Sequence, residues 1–336
     1  EHRLVRTDSG TLDLQTDKGE RKKTGSYYTP HYIVEYIVKH TLGPIVERRT
    51  TQFENAMERI QSILADAQDP DAPGVRAKLD APRQAAREAL LTVRVCDPAM
   101  GSGHFLVYAA DYLADSFAQI IGRYTEHNPV TEKLARIRQN ILASLEQQGI
   151  DTEGIRGNDR LSDASLLKRL VMKRCIYGVD LNPMAVELAK VSLWLHSFTV
   201  GAPLSFLDHH LKAGNSLIGA EVDAVMDAIT GDLFGNIRGE ILRGTQFLQD
   251  AAFNTDATLA DVADSAAAFR AYQDKMAPYK RLLDLWTAQH FDAPKGKTLV
   301  RDYAREVIDA YKNDGGAVIS EYPDTVDTAE RIARTK

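Results

Sequence analysis

One short stretch constrains the fold of this chain more than any other, the 14 residues Val93–Leu106. It opens with the β-branched run Val93–Cys96, which predicts a buried strand. Asp97-Pro98 ends that strand, because proline cannot donate a hydrogen bond to a neighbouring strand. Gly101 and Gly103 then permit a tight turn and a close approach of the backbone to a ligand. Apolar residues at helical spacing follow, so we expect a strand, a glycine turn and a helix in succession.

The glycine turn has two interpretations. A strand, turn and helix start direct free N–H groups and the helix dipole at one point, where a carboxylate could be held. A dinucleotide site needs Gly-x-Gly-x-x-Gly and an acidic residue about 20 positions later, and here only Gly101 and Gly103 fit that spacing. Taken alone, this pair is equally compatible with an ordinary strand-to-helix turn.

Composition narrows the class of protein. The 336 residues are 44% hydrophobic and 26% charged, which predicts a globular chain with a sizeable core in one large domain or two. The formal net charge of −6 does not favour a simple nucleic-acid-binding module, since such modules are usually basic. A large enzyme can nevertheless carry a local basic face.

Cysteine usage and hydropathy predict a cytoplasmic protein without a membrane segment. Cys96 and Cys175 both fall in apolar, strand-like runs, so we expect buried reduced thiols and neither a disulfide nor a metal site. No signal peptide or membrane-length apolar run occurs in the sequence. Because the sequence starts at Glu1 and ends at Lys336 in a polar stretch, we expect a fragment of a longer protein.

The amino-terminal part combines a polar segment, residues 1–23, with a capped helix. Ser9-Gly10 separates two short apolar runs, which predicts a small hairpin. Thr29 suits the N-cap of the next helix and Pro30 its first position. Gly43-Pro44 is expected to end that helix.

Two later stretches again place polar residues after strands. The run Cys175–Val179 predicts a second strand that ends in Asp180, ahead of a helix from Asn182-Pro183. Asp180 can serve as an N-cap, or its carboxylate can accept both hydroxyls of a ribose at the end of the strand. Leu211–Gly219 predicts a third strand and turn, and by itself its Gly-Asn-Ser is a common turn sequence.

Four motifs together resemble the amino-methylating DNA methyltransferases, which bind S-adenosylmethionine (SAM). Asp-Pro-Ala-Met-Gly-Ser-Gly-His-Phe resembles motif I, Gly-Ser-Tyr-Tyr-Thr-Pro motif X and Gly-Val-Asp-Leu-Asn-Pro-Met-Ala motif II. Gly-Asn-Ser-Leu is similar to motif III, with Asn215 in place of the usual aspartate. The order with motif X first resembles the gamma class, mainly adenine-N6 enzymes. The exact sequences of motifs X and I are similar to those of the large methylases of type IIG restriction and of the DISARM and BREX phage-defence systems. Among these, the DISARM-type adenine methylase is our first choice.

The resemblance implies an α/β fold with a doubly wound, mainly parallel sheet and helical insertions, as in Rossmann-like class I SAM-dependent methyltransferases. It implies a SAM-binding core over residues 24–219, with a helical insert at about 115–173. Residues 220–336 are expected to be mostly helical. The implied partners are double-stranded DNA and other proteins of the same defence system.

The resemblance also implies the residues that bind the cofactor. The glycine-turn N–H groups would meet the methionine carboxylate, Asp97 its ammonium, Asp180 the ribose and Asn215 the adenine amine. The full set is Tyr28, Thr29, Pro30, Asp97, Pro98, Ala99, Met100, Gly101, Ser102, Gly103, Phe105, Asp180, Leu181, Asn215, Ser216 and Leu217.

The catalytic motif IV of this family, (Asn/Asp/Ser)-Pro-Pro-(Tyr/Phe/Trp), is absent from the sequence. In the family, its loop accepts hydrogen bonds from the target amine and stacks an aromatic ring on the flipped base. We therefore expect the chain to hold the cofactor half of the site and to be inactive alone, with no catalytic residue or metal ligand assigned. Two alternatives stay open, a SAM-binding scaffold or sensor and a methyltransferase acting on protein.

Overall fold

A computed structural model describes residues 2–6, 12–16, 29–222, 224–225, 255–288 and 290. The predicted site residue Tyr28 lies outside the described residues, as does most of the region after residue 225 that was expected to be helical. The remaining predicted positions can be compared with the structure directly.

The predicted hairpin is present at the amino terminus. Strand β1 (His2–Arg6) pairs antiparallel with β2 (Leu12–Thr16), with Leu4 opposite Leu14. The Ser9-Gly10 signal therefore marked the connection between two strands correctly.

Three parallel strands form the sheet that carries the candidate site. Strands β3 (Val95–Asp97), β4 (Ile176–Asp180) and β5 (Leu211–Ala213) lie in the order β3–β4–β5. All three predicted strands are thus confirmed, and the first two are neighbours as expected. The described residues form a mixed, mostly helical α/β structure around this small parallel sheet.

Helices make up most of the described chain, and α3 to α6 connect β3 to β4. The α-helices are α1 (His31–Ala65), α2 (Pro73–Leu91), α3 (His104–Ile121), α4 (Pro129–Gln147), α5 (Glu153–Arg156), α6 (Asp163–Cys175), α7 (Pro183–His196) and α8 (Leu259–Ala288), and a short 3-10 helix, Asp159–Leu161, lies between α5 and α6.

Helix α1 differs from its prediction at both ends. Pro30, and not Thr29, takes the N-cap position, without a side-chain cap. The helix also continues through Gly43-Pro44, so the predicted end there is wrong. A proline inside a helix costs about 3 kcal/mol, whereas each large apolar side chain fully buried contributes about 1.5–3 kcal/mol. Phe53 and Met57, both fully buried beyond the proline, are enough to outweigh that cost.

The two faces of the sheet differ in what covers them. Ile176 and Leu211 are buried on the face that packs against α3. On that face a Cβ at Gly178 would overlap the sulfur of Met100. Cys96 points to the opposite face and is exposed, so its predicted burial is wrong, because neighbouring residues of a strand alternate between faces. Cys175 is buried as predicted, and burial raises its thiol pKa to about 12.

A buried polar network joins α8 to the helical layer. Asp256, which is fully buried and precedes α8, pairs with the ammonium of Lys173 in α6. Its carboxylate also accepts hydrogen bonds from Ser265 Oγ (2.7 Å) and from the Phe206 N–H (2.9 Å). Arg169 donates to the Asp256 carbonyl at 2.7 Å. We call these five residues the α8 network.

Candidate functional site

Three turns meet where the strands of the sheet end. They are residues 97–103 after β3, 180–182 after β4 and 214–217 after β5. The Met100 N–H donates to the Val179 carbonyl at 3.0 Å, and the Gly214 N–H donates to the Asp180 carbonyl at 2.9 Å. These backbone bonds hold the first and third turns against the end of the central strand.

Asp180 lies at the centre of this arrangement. Its Oδ2 accepts a hydrogen bond from the Gly101 N–H and its Oδ1 accepts one from the Asn182 N–H, both at 2.8 Å. Asn182, and not Asp180, is the N-cap of α7, since its side chain accepts from the Met184 N–H at 3.0 Å. A carboxylate has about four acceptor positions, so Asp180 can accept further hydrogen bonds from a ligand.

The two turn glycines are required for different reasons. Both have positive φ, 55° at Gly101 and 85° at Gly103, a conformation that favours glycine. A Cβ at Gly103 would lie 3.1 Å from the Ala189 Cβ and 3.2 Å from its Cα, so α7 packs directly on the turn. A Cβ at Gly101 would meet no atom within 4 Å. Gly101 therefore faces open space, while Gly103 permits close packing.

The N–H groups of the turn are largely used within the protein. Besides those of Met100 and Gly101, the Ala99 N–H donates to Asp97 Oδ1 and the Gly103 N–H to the Met100 carbonyl, both at 2.9 Å. The expectation of free N–H groups is therefore wrong at these four positions. Helix α3 starts at His104, and the first N–H groups of a helix have no partner within it. The positive end of the α3 dipole therefore lies at the turn and favours a bound anion.

Asp97 carries a second carboxylate at the same edge. Burial raises the pKa of Asp97, the Ala99 N–H opposes that rise, and the charge of Asp180 adds to it. A bound cation would stabilise the charged form of Asp97. It would thereby offset both the cost of burying that charge and the repulsion from Asp180. The electrostatics of this edge thus favour a positively charged group beside Asp97.

The remaining predicted residues differ in how far they are buried. Met100 is buried and Phe105 is packed against the core, so these two side chains support the turn from its core side. Leu181 is 53% exposed and Leu217 is 93% exposed, on the turns after β4 and β5. Asn215 holds the second of these turns, since its Oδ1 accepts from the Leu217 N–H at 2.9 Å. The rest surround the turns, with Pro98, Ala99 and Ser216 exposed and Ser102 half-buried.

The start of α1 lies beside the start of α3. The His31 ring is 5.9 Å from the His104 ring and 5.3 Å from the Tyr108 ring, measured between centroids. Thr29 and Pro30 directly precede His31 in the chain, so they lead into the part of α1 that contacts α3. The three rings were not predicted as part of the site, although His104 directly follows Gly103 in the sequence.

A separate cavity of about 380 Å³ lies on the other side of β5, between α7 and α8. Neither Asp97, Gly101 nor Asp180 lines it. Lys190 in its wall pairs with Glu187 at 2.7 Å and with Asp208 at 2.5 Å, so that charge is already satisfied. The candidate site is instead the open surface above the three turns.

The described part of the chain has neither a candidate metal site nor a helix that could span a membrane. It contains no group of three or more histidine, cysteine, aspartate or glutamate side chains placed to hold a metal ion. None of its helices is both long enough and apolar enough to cross a membrane.

Comparisons with known proteins show that parts of this chain are similar to restriction-modification methylases. The family model of the MmeI DNA-methyltransferase domain matches residues 76–213, and that of the Eco57I restriction-modification methylase matches residues 174–314. A protein of Methanocaldococcus jannaschii, named as a type II restriction enzyme and methyltransferase, is 27% identical over 220 residues. That alignment covers 62% of this chain but only 16% of the relative. No solved structure matches. The two matched ranges overlap across β4, α7 and β5, which includes Asp180.

Proposed function

We propose that the chain is the cofactor-binding part of a SAM-dependent DNA methyltransferase that acts on adenine N6. The observation that carries the proposal is the convergence of three turns on Asp180, within the range matched by both methylase models. In this arrangement a strand-end carboxylate, a glycine turn and a helix start face one open surface.

The residues present fit SAM group by group. The remaining acceptor positions of Asp180 suit two ribose hydroxyls, because Oδ1 and Oδ2 each hold a single backbone N–H. Asp97 suits the ammonium, since its pKa is raised by burial and by a neighbouring negative charge. The first N–H groups of α3 suit the methionine carboxylate.

The adenine would lie between the turns after β4 and β5. Leu181 and Leu217 are exposed apolar side chains on these two turns, and an aromatic ring between them would remove apolar surface from water. The Asn215 oxygen accepts one backbone N–H and has a second acceptor position for the adenine amine. Thr29 and Pro30 would cover the methionine end.

The bound cofactor would supply a methyl group on a sulfonium. The chain's own residues would hold and orient it, while the absent motif IV would have to position the flipped base. We therefore propose that this chain binds SAM and does not methylate DNA by itself. We further propose the doubly wound fold and a SAM-binding core over residues 24–219, including the helical insert at about 115–173. The methyltransferase would belong to a restriction or phage-defence system, and our first choice is a DISARM-type system. Its partners would be double-stranded DNA and other proteins of the same system.

Calorimetric titration with SAM tests the cofactor half of the proposal. The second half of the proposal, that the chain does not methylate by itself, is tested in two separate incubations with radiolabelled SAM. One contains mixed-sequence duplex DNA as the acceptor, and the other contains protein. We expect binding without transfer to either acceptor. Absence of SAM binding would overturn the proposal, transfer to adenine would show that the chain contains its own catalytic loop, and transfer to protein would favour the protein methyltransferase.

A further inference from the structure

A cluster of positive charges lies where α2, α4 and α6 pack together. Its members are Arg87 in α2, Lys133 and Arg136 in α4, and Arg174 in α6, and we call it the basic cluster. The three helices contact one another pairwise. Arg174, Arg87 and Arg136 all act electrostatically on Lys133, and Arg87 also acts on Arg174. The four side chains therefore form one electrostatic unit.

The basic cluster and the candidate cofactor site lie at opposite ends of the sheet. Arg174 comes two residues before β4 begins, and Asp180 is the last residue of that strand. At about 3.3 Å per residue, the strand alone separates the two ends by about 13 Å. A ligand on the basic cluster would thus not occupy the cofactor site.

Three of the four cations of the cluster lack a carboxylate partner in the part of the chain that the structure describes. Among the described residues, Arg87, Lys133 and Arg136 form no ion pair. The adjacent Glu132 pairs with Arg83 instead, and the carboxylate of Glu88 accepts a hydrogen bond from Gln84 at 2.7 Å. Burial and the surrounding cations lower the Lys133 pKa to about 7. An anion bound here would relieve this repulsion.

The missing pairs do not reflect a shortage of acidic residues, because the chain has 47 of them against 41 basic residues. Elsewhere, three arginines pair with acids at 2.5–2.9 Å, in Arg123–Glu54, Arg138–Asp163 and Arg156–Glu146. None of the large apolar side chains exposed in the described residues belongs to α2, α4 or α6. A protein partner would be expected to use such anchors, whereas a phosphate backbone needs only arginine and lysine.

We propose that the basic cluster binds the phosphodiester backbone of nucleic acid, at a site separate from the cofactor and the reacting base. Guanidinium groups suit this role, because their planar donors match phosphate oxygens two at a time. The contact is independent of base sequence and adds affinity and steering. This inference rests on the part of the proposed function that names double-stranded DNA as a partner, and deepens it by assigning a surface to the phosphate backbone. It does not depend on SAM binding.

The test compares two double variants of the whole chain by fluorescence anisotropy, with a labelled mixed-sequence duplex over a series of salt concentrations. Lys133→Gln/Arg136→Gln removes two cationic groups of the cluster, and binding is measured at about pH 6, where Lys133 is protonated. The matched control, Arg59→Gln/Lys78→Gln, removes one arginine and one lysine that are exposed on helices and form no ion pair within the described residues. Each lost phosphate contact lowers the slope of log affinity against log salt by about 0.9. We expect the slope to fall by about 1.8 in the cluster variant and to stay unchanged in the control.

Three results would overturn the proposal. The first is an unchanged slope in the cluster variant. The second is an equal loss of slope in the control, which would mean that only overall charge matters. The third is displacement of the duplex by polyglutamate of equal charge as effectively as by unlabelled duplex, which would remove the preference for phosphate. Both variants should bind SAM with wild-type affinity in calorimetry, so failure here can be told apart from failure of the cofactor proposal.

Discussion

The backbone N–H of Gly101 donates a hydrogen bond of 2.8 Å to Oδ2 of Asp180, a residue 79 positions later in the chain. Because the acceptor is a carboxylate, this bond is stronger than one between neutral groups. It ties the glycine turn after β3 to the end of β4. The side chain proposed to bind the ribose therefore also fixes the shape of the turn beside it.

Asp180→Ala should weaken SAM binding at least tenfold in calorimetric titration. Loss of a charged acceptor costs about 1.5–3 kcal/mol, and the Gly101 turn would lose its anchor as well. The control is Asn128→Ala, which removes the buried N-cap of α4. It should lower the free energy of unfolding by about 1 kcal/mol and leave SAM affinity unchanged. Wild-type affinity in Asp180→Ala would contradict the assignment.

Alanine substitutions at the two turn glycines should have unequal effects on stability. Gly101→Ala should cost only the strain of a positive φ, about 1–2 kcal/mol, because its Cβ would face open space. Gly103→Ala should cost about 1–3 kcal/mol more, because its Cβ would press on Ala189 in α7. Urea unfolding of both variants measures the difference. Equal losses would mean that α7 does not constrain the turn as the structure indicates.

Local patterns in the sequence were sufficient to predict much of the fold. Apolar runs bounded by glycine, proline or acidic residues marked all three parallel strands, including Val93–Cys96 and Cys175–Val179, with shifts of one or two residues at their ends. The positions of the three turns followed from these strands, since parallel strands end at the same edge of a sheet. The placement of Asp97 beside Asp180 was predictable in this way.

Features that depend on distant contacts could not be predicted in the same way. Helix α1 continues past Pro44 because its later residues are buried by other helices, which no local signal reveals. Cys96 is exposed because of how β3 is placed, although its run is as apolar as a core strand. The pairing of Lys173 with Asp256 joins a residue of α6 to one in the loop before α8, and no sequence pattern connects them.

The α8 network should respond differently to single and double substitutions. Asp256→Asn leaves Lys173 buried without a counter-ion, which should lower the free energy of unfolding by about 3–5 kcal/mol. Asparagine tolerates the positive φ of 49° at this position, so backbone strain should not contribute. Lys173→Met combined with Asp256→Asn should recover part of the loss, because the buried ammonium is removed while the buried guanidinium of Arg169 remains. A double variant as unstable as the single one would show that the charges are not the cause.

Lys133 should give the protein a distinct pH dependence of stability. Its folded-state pKa is about 7, against 10.5 for an ordinary lysine, because burial and the charges of Arg174, Arg87, Arg136 and Lys173 disfavour its protonated form.

Between these two pH values the unfolded chain binds a proton that the folded chain does not. The contribution of Lys133 to stability therefore rises with pH across this window, while the cost of charging it is fully present below pH 7. Lys133→Met removes the titrating group and keeps an unbranched side chain. We expect the variant to be more stable than the wild type at about pH 6.5, and this advantage to shrink steadily towards about pH 9.5.

Urea unfolding at intervals across that range measures the difference in the free energy of unfolding between variant and wild type. Lys78→Met serves as the control, because Lys78 is an exposed lysine of α2 outside the basic cluster. Its difference from the wild type should not change with pH. A Lys133→Met difference that stays constant or grows as pH rises would mean that Lys133 is charged without cost in the folded protein. The repulsion within the basic cluster would then be too weak to favour a bound anion.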